Sequence, residues 1–207
     1  MSDDAELLTA WRSGDQAAGR RLAERYFDPV YRFFRNKAGD DIDDLVQGTF
    51  LRCAQSKDAI RNQASFRAYL FRIARNVLAD HYGSRRREHA SLDTQRLSVT
   101  SMGVTPTRML AHREEQKLLL EALRSIPIDE QILLELVYWE QMTGRELAAV
   151  LGVPEGTART RLRSARQSLE AQLHRLARTP DQLQSTMGDL ERWSASVREL
   201  LAKDRSR

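Results

Sequence analysis

Apolar residues along the first ninety positions recur at helical spacing, and the breaks between the stripes carry helix-stop and helix-start residues. Asp15 is placed to cap a helix running through Leu22, Tyr26 and Phe27, followed after Pro29 by Tyr31 and the pair Phe33 and Phe34. Ile42, Leu45, Val46, Thr49, Phe50 and Cys53 then fall at steps of three, one, three, one and three, which is one face of an α-helix. A third helix opens near Phe66, with Tyr69, Leu70, Ile73, Ala74, Val77 and Leu78 on its buried side.

From about Ser91 to Leu110 the periodicity disappears into a Ser/Thr-rich stretch containing Gly103 and Pro106. A structureless loop of that length is uncommon inside one compact domain, so it reads as a linker. Helical pattern returns with Glu115 to Leu123, breaks at Ile126 and Pro127, and resumes through Ile132, Leu133, Leu136, Val137 and Trp139. Beyond about Thr179 another helical stripe runs through Leu183, Met187, Leu190, Trp193, Val197, Leu200 and Leu201. The expectation is an all-α chain of two small helical domains, at 1–90 and 111–178, joined by a flexible linker at 91–110 and followed by an amphipathic extension at 179–207.

The strongest local signal lies between residues 143 and 173. Thr143 and Glu146 have the spacing of a capping box, in which hydroxyl and carboxylate each satisfy an unpaired backbone N–H. Leu147, Ala148, Val150 and Leu151 form the apolar side of that helix. Gly152 follows it where a left-handed cap favours glycine, and Pro154 suits the start of the next helix. Helix, short glycine turn, helix is the unit that reads DNA grooves. On a helical wheel Ala158, Leu162, Ala165 and Leu169 cluster inward, while Gly156, Thr160, Arg163, Ser164 and Gln167 face out. Arg163 and Thr160 are expected at base edges, and Arg159 and Arg166 on phosphates, with Arg161 beside them. An amphipathic surface helix would also show an arginine stripe, but the ordered cap, glycine and proline weigh against that reading.

Two charged segments admit two explanations each. Asp40, Asp41, Asp43 and Asp44 open the second apolar stripe, where carboxylates favour the positive end of a helix dipole. The alternative is a protein-docking face with Asp44, Gln47 and Arg52 exposed, and sequence physics alone leaves the helix-dipole reading ahead. The third helix and its tail carry Arg67, Arg72, Arg75, Arg85, Arg86 and Arg87, interleaved with Phe71, His81 and Tyr82. Charge for phosphates beside rings for unstacked bases suits melted DNA; a basic helix closing on a solvated tail fits equally.

Composition changes this picture only a little. The net charge is +4 and almost all the positive charge is carried by arginine, whose forked donors suit phosphate and base edges, although a solvated surface fits the total as well. One cysteine, Cys53, leaves no disulfide within the chain. His81, His89, His112 and His174 are scattered without partners at metal-ligand spacing. There is no phosphate-binding glycine loop and no nucleophile–base constellation, so no catalytic residue, metal or cofactor is expected. The acidic start MSDDAELL lacks a secretory pattern, and no apolar run approaches the roughly 18 residues of a membrane span, so a cytoplasmic location is expected.

Three strings, DDIDDLVQGTFLRC at 40–53, SFRAYLFRIARNVLADHYGSRRR at 65–87 and GRELAAVLGVPEGTARTRLRSARQSL at 144–169, together resemble the extracytoplasmic-function group of the sigma-70 family of RNA polymerase sigma factors. The resemblance covers roughly residues 5–88 and 112–175. It implies a sigma-two domain, a linker and a sigma-four domain, with core RNA polymerase and promoter DNA as partners and an anti-sigma factor or other regulator as a further one. Polymerase docking is carried over to Asp41, Asp44, Gln47 and Arg52. Capture of an unstacked base in the melted −10 element is carried over to Arg61, Asn62, Arg72, Arg75, Asn76 and Tyr82. Duplex reading of the −35 element goes to Gly156, Thr157, Arg159, Thr160, Arg163 and Arg166.

Two departures qualify the resemblance. Gly48 stands where similar proteins usually carry an acid, and glycine inside a helix costs about 1 kcal/mol relative to alanine. The extension at 179–207 lies beyond the two-domain pattern; it either packs on the chain's own domains or docks a separate regulator. A rival reading is a helix-turn-helix regulator that binds an operator without polymerase. It accounts for residues 143–173 but not for the acidic and basic-aromatic helices.

Overall fold

A computed structural model of the chain describes residues 3–60, 66–88, 98 and 114–177. Among them are eight α-helices and two single-turn 3-10 helices, and no β-strand. The expected linker at 91–110, save Ser98, lies outside the described residues, as do Arg61, Asn62 and the extension at 179–207.

The first group contains α1 (Asp4–Arg12), α2 (Gln16–Arg35), α3 (Ile42–Gln55) and α4 (Phe66–Glu88). Asp15 caps α2 as its position implies, its Oδ1 accepting from the N–H groups of Ala17 at 2.8 Å and Ala18 at 3.2 Å. Helix α2 runs through Pro29 without a break. An internal proline costs about 3 kcal/mol by removing an N–H and crowding the preceding turn. Tyr26, Val30, Phe33 and Phe34 are all buried around that point, and this packing keeps the helix continuous.

Helix α3 buries Ile42, Leu45, Val46, Thr49 and Cys53, the face read from the sequence, and Phe50 stacks on Phe27 with centroids 6.2 Å apart. The Thr49 hydroxyl donates to the Leu45 carbonyl at 2.8 Å, which lets a polar group sit fully buried. Along α4 the buried line is Phe66, Leu70, Phe71, Ile73, Ala74, Val77, Leu78 and Tyr82. Helices α3 and α4 pack on each other and on α2.

The second group contains α5 (Glu114–Ser125), α6 (Ile128–Tyr138), α7 (Gly144–Leu151) and α8 (Glu155–Leu176). Pro127 ends one helix and starts the next, since it cannot donate to the turn before it. Long α8 forms the floor on which α5, α6 and α7 pack. The two groups touch as well: α4 lies against α7, and the buried apolar residues of both form one connected cluster.

Two predictions follow from α3. A β-carbon on Gly48 would meet only Val77 Cγ1, at 4.0 Å, so Gly48→Ala should fit and raise stability by about 1 kcal/mol, read as a shifted urea midpoint. Cys53 is 1 % exposed and burial pushes its thiol up to about 12. At pH 8 iodoacetamide should therefore label it only when the protein is unfolded, and mass spectrometry of the native protein should show no adduct.

Candidate nucleic-acid interface

The helix-turn-helix is built as its sequence implies. The Thr143 N–H donates to Glu146 Oε2 at 2.8 Å, and the Glu146 N–H donates back to Thr143 Oγ1 at 3.3 Å. Gly152 ends α7 at φ +66°, the left-handed region that glycine enters without penalty. Pro154 occupies the N-cap of α8, one position before its first helical residue. Ala158, Ala165 and Leu169 are buried beneath α8, with Leu162 half-buried beside them.

The opposite side of α8 is open. Gly156, Thr157, Arg159, Thr160, Arg163 and Arg166 are all exposed, as are Arg161, Ser164 and Gln167. Small residues lead, so a groove wall can approach the backbone before the longer side chains reach in. Thr160 Oγ1 donates to the Gly156 carbonyl at 3.1 Å, and Arg159 pairs with Glu155 at 3.3 Å. Arg166 lies over the Tyr138 ring, 5.5 Å from its centroid, which holds it to one flank.

The basic face of α4 has company that the sequence did not announce. Arg75 pairs with Asp129 at 2.9 Å, and Arg67 lies 3.9 Å from both Glu140 and Glu146. The exposed Arg72 points toward Gly152, its Nη2 3.7 Å from where a β-carbon would stand. Asn76 is exposed. Tyr82 requires a correction: it is not a free ring for stacking on a base. It is buried against the core, and its hydroxyl donates to the Lys37 carbonyl oxygen.

Behind these contacts lies a buried charge pair. Lys37 is fully enclosed and its ammonium donates to Glu135, itself 2 % exposed. Glu135 also accepts from Asn36 at 3.3 Å and from Gln131 at 2.7 Å. Burial lowers the Lys37 pKa below the ordinary lysine value, while Glu135 and Glu140 pull it back up. Arg32 grips Glu140 with Nε at 3.3 Å and Nη2 at 3.2 Å. In every one of these pairs the cation comes from the first helical group and the anion from the second.

The acidic face of α3 is open. Asp43, Asp44, Gln47 and Arg52 are exposed, with Asp41 half-buried at the start. Leu51 sits among them at 57 % exposure, an apolar residue that a reading of the buried stripe passes over. Arg52 pairs with Asp80 of α4 at 2.5 Å, and Asp41 lies 3.7 Å from His81 Nε2. Leu51 stands four residues beyond Gln47 and seven beyond Asp44, which puts all three on one side of the helix.

A family model for sigma-70 region 2 matches residues 22–88, and one for sigma-70 region 4 matches residues 116–169. The ECF RNA polymerase sigma-E factor of Escherichia coli K12 is 24 % identical over 184 residues, covering 84 % of this chain and 96 % of that protein. The Salmonella typhi and Haemophilus influenzae sigma-E factors match at the same identity and coverage. The chain belongs to the extracytoplasmic-function group of the sigma-70 family. This sigma factor also resembles CnrH, solved with the cytosolic domain of CnrY, at 25 % identity and a TM-score of 0.59 over 84 % of this chain and 99 % of that one. The fold of RpoE from Bartonella quintana, solved with the anti-sigma factor NepR, matches at 20 % identity and a TM-score of 0.58, covering 75 % of this chain and 96 % of that one.

A sigma factor is a transcription initiation factor that brings core RNA polymerase to promoters. The matched segments of this one coincide with the two helical groups: region 2 spans most of α2 through α4, and region 4 spans α5 to the middle of α8. Among the described residues no helix is long and apolar enough to cross a membrane, and no cluster of potential metal ligands occurs.

The buried pair gives a direct test of the seam between the groups. Glu135→Ala strands an enclosed ammonium and should cost about 3–5 kcal/mol in denaturant unfolding. The double variant Lys37→Met/Glu135→Leu removes both charges at similar volume and should lose far less.

Proposed function

We propose that this sigma factor divides its work among three helix faces. The exposed side of α3, with Asp41, Asp44, Gln47, Leu51 and Arg52, docks core polymerase. Helix α4 meets the melted −10 element through Arg72, Arg75 and Asn76, joined by Arg61 and Asn62, which lie outside the described residues. Helix α8 reads the −35 duplex through Gly156, Thr157, Arg159, Thr160, Arg163 and Arg166. The observation that carries this reading is α8: its small and hydrogen-bonding residues are exposed while Ala158, Ala165 and Leu169 are sealed beneath it.

Leu51 supports the docking assignment on energetic grounds. Exposed charges in water contribute little to association, whereas an apolar side chain ringed by polar groups is what a buried interface centre uses. Arg75 is paired with Asp129, so on this reading its use on DNA exchanges one anion for another.

The polymerase supplies the chemistry, and this chain carries no catalytic residue and takes no cofactor. Residues 1–90 form the polymerase and −10 unit, 91–110 the linker, 111–178 the −35 unit, and 179–207 an extension. The protein works in the cytoplasm. Because CnrH and RpoE were each solved with a second protein, an anti-sigma factor or similar regulator is a fitting further partner.

The test is transcription in vitro with purified core polymerase on a promoter library, with start sites sequenced. The chain should direct core enzyme to a defined set of promoters; a chain that binds DNA but neither retains core enzyme nor yields start sites is an operator-binding regulator instead. Arg163→Ala should cost about 1–3 kcal/mol in −35 binding and relax the preference at one base pair, whereas Arg159→Ala should weaken all sequences alike and flatten the salt dependence by about one unit. Leu51→Asp should reduce core retention in pull-down while leaving −35 duplex binding by the same protein intact.

A further inference from the structure

Helix α1 lies outside the residues matched by the region 2 model, yet it reaches the segment between the docking helix and the −10 helix. At its C-terminal end, Arg12 donates from Nε to the Lys57 carbonyl at 3.1 Å and from Nη2 to the Asp58 carbonyl at 2.7 Å. Lys57 answers from the other side, its ammonium donating to the Trp11 carbonyl at 3.2 Å and lying 5.5 Å from the centroid of the Trp11 ring. The turn is therefore gripped in both directions by two consecutive residues of α1. Ile60, 2 % exposed, pins its far end, and the Tyr69 hydroxyl of α4 donates to the Ser56 carbonyl at 3.4 Å at its near end.

The seat for Trp11 is written into α2. A β-carbon on Gly19 would collide with Trp11 Nε1 and its neighbouring ring atoms, so only glycine at 19 lets the indole lie where it does. Arg12 is not needed to hold α1 itself. Leu7 and Leu8 are buried, and Asp4 is bonded to both Arg25 and Tyr26. What Arg12 adds is a two-point hold on backbone carbonyls of the turn, which fixes the turn's path whatever side chains it carries.

We propose that Arg12, seated by Trp11 and Gly19, is a positioning residue for promoter opening: it fixes the turn Lys57–Ile60 beside Tyr69 of α4, the helix assigned to the melted −10 element. The proposal rests on the assignment of α4 and its preceding segment to melted DNA. Extruding and holding a base costs a few kcal/mol, and a receptor that must first be ordered would add its own ordering cost to that. A turn already held at both ends removes that second cost.

The experiment uses the full chain with core polymerase and one promoter in two forms, fully duplex and with the −10 region pre-opened by mismatches. Arg12→Gln should retain core polymerase within twofold of the unaltered chain and start from the pre-opened promoter within twofold. On the duplex promoter it should fall at least tenfold, with matching loss of permanganate-reactive thymines at −10. Gly19→Ala, which displaces Trp11 without touching Arg12, should show the same split between templates, and Arg12→Lys, which keeps a donor for one carbonyl, should fall between. Equal activity of Arg12→Gln and the unaltered chain on duplex DNA would overturn the proposal. So would an equal loss on both templates together with weakened core binding, since that marks a merely structural role. An unaltered chain that starts from neither template refutes the promoter assignment itself, a result separate from any difference among variants.

Discussion

Lys37 carries its ammonium where water does not reach, and Glu135, from the other helical group, is the charge that makes this tolerable. The arrangement of the two groups depends on that pair. An enclosed lysine without a counter-ion is among the costliest things a small protein can contain, so the residues that bring α6 to the end of α2 are under strict geometric demand. Asn36 and Gln131 both donate to the other carboxylate oxygen of Glu135, and the Tyr82 hydroxyl donates to the Lys37 backbone carbonyl. Around this dry centre Arg32, Arg67 and Arg75 meet Glu140, Glu146 and Asp129 in progressively wetter surroundings. Pairs at the rim are weak individually but share one polarity, which sets orientation more than strength.

That seam also explains the divided exposure of the working faces. The acidic side of α3 and the outer side of α8 are exposed, while Arg67 and Arg75 of α4 are paired across the seam. Surfaces assigned to polymerase and to duplex DNA are thus open together, and the surface assigned to melted strands already has anions for company. Carboxylates beside a basic face offset the mutual repulsion of its arginines.

The local structure was largely legible in the sequence, for reasons that act over a few residues. Asp15, Thr143 with Glu146, and Gly152 each solve a backbone problem within four positions, so their roles can be read from neighbours alone. The buried stripes of α3 and α8 follow from periodicity in the same way. Tyr82 misled because an aromatic beside arginines looks the same whether its ring faces a base or a core. Lys37 and Glu135 could not be paired, since nearly a hundred residues separate them; Glu135 nonetheless left a trace, as a lone carboxylate inside the apolar run ILLELVYW. Leu51 went unnoticed for the opposite reason: one leucine off the apolar stripe carries no periodic signal. Arg12 escaped too, because its partners are backbone carbonyls, which have no sequence.

Glu146 serves both α7 and the seam. Its carboxylate takes hydrogen bonds from the Thr143 N–H at 2.8 Å and the Thr143 hydroxyl at 2.9 Å, and it lies farther, at 3.9 Å, from Arg67. The tighter bonds are local to α7 and the looser contact crosses to α4. Should the two groups separate, the carboxylate keeps its hold on the start of α7, and that helix keeps its cap. The contact between groups borrows an anion that already has permanent employment, so parting them leaves no orphan at that helix end.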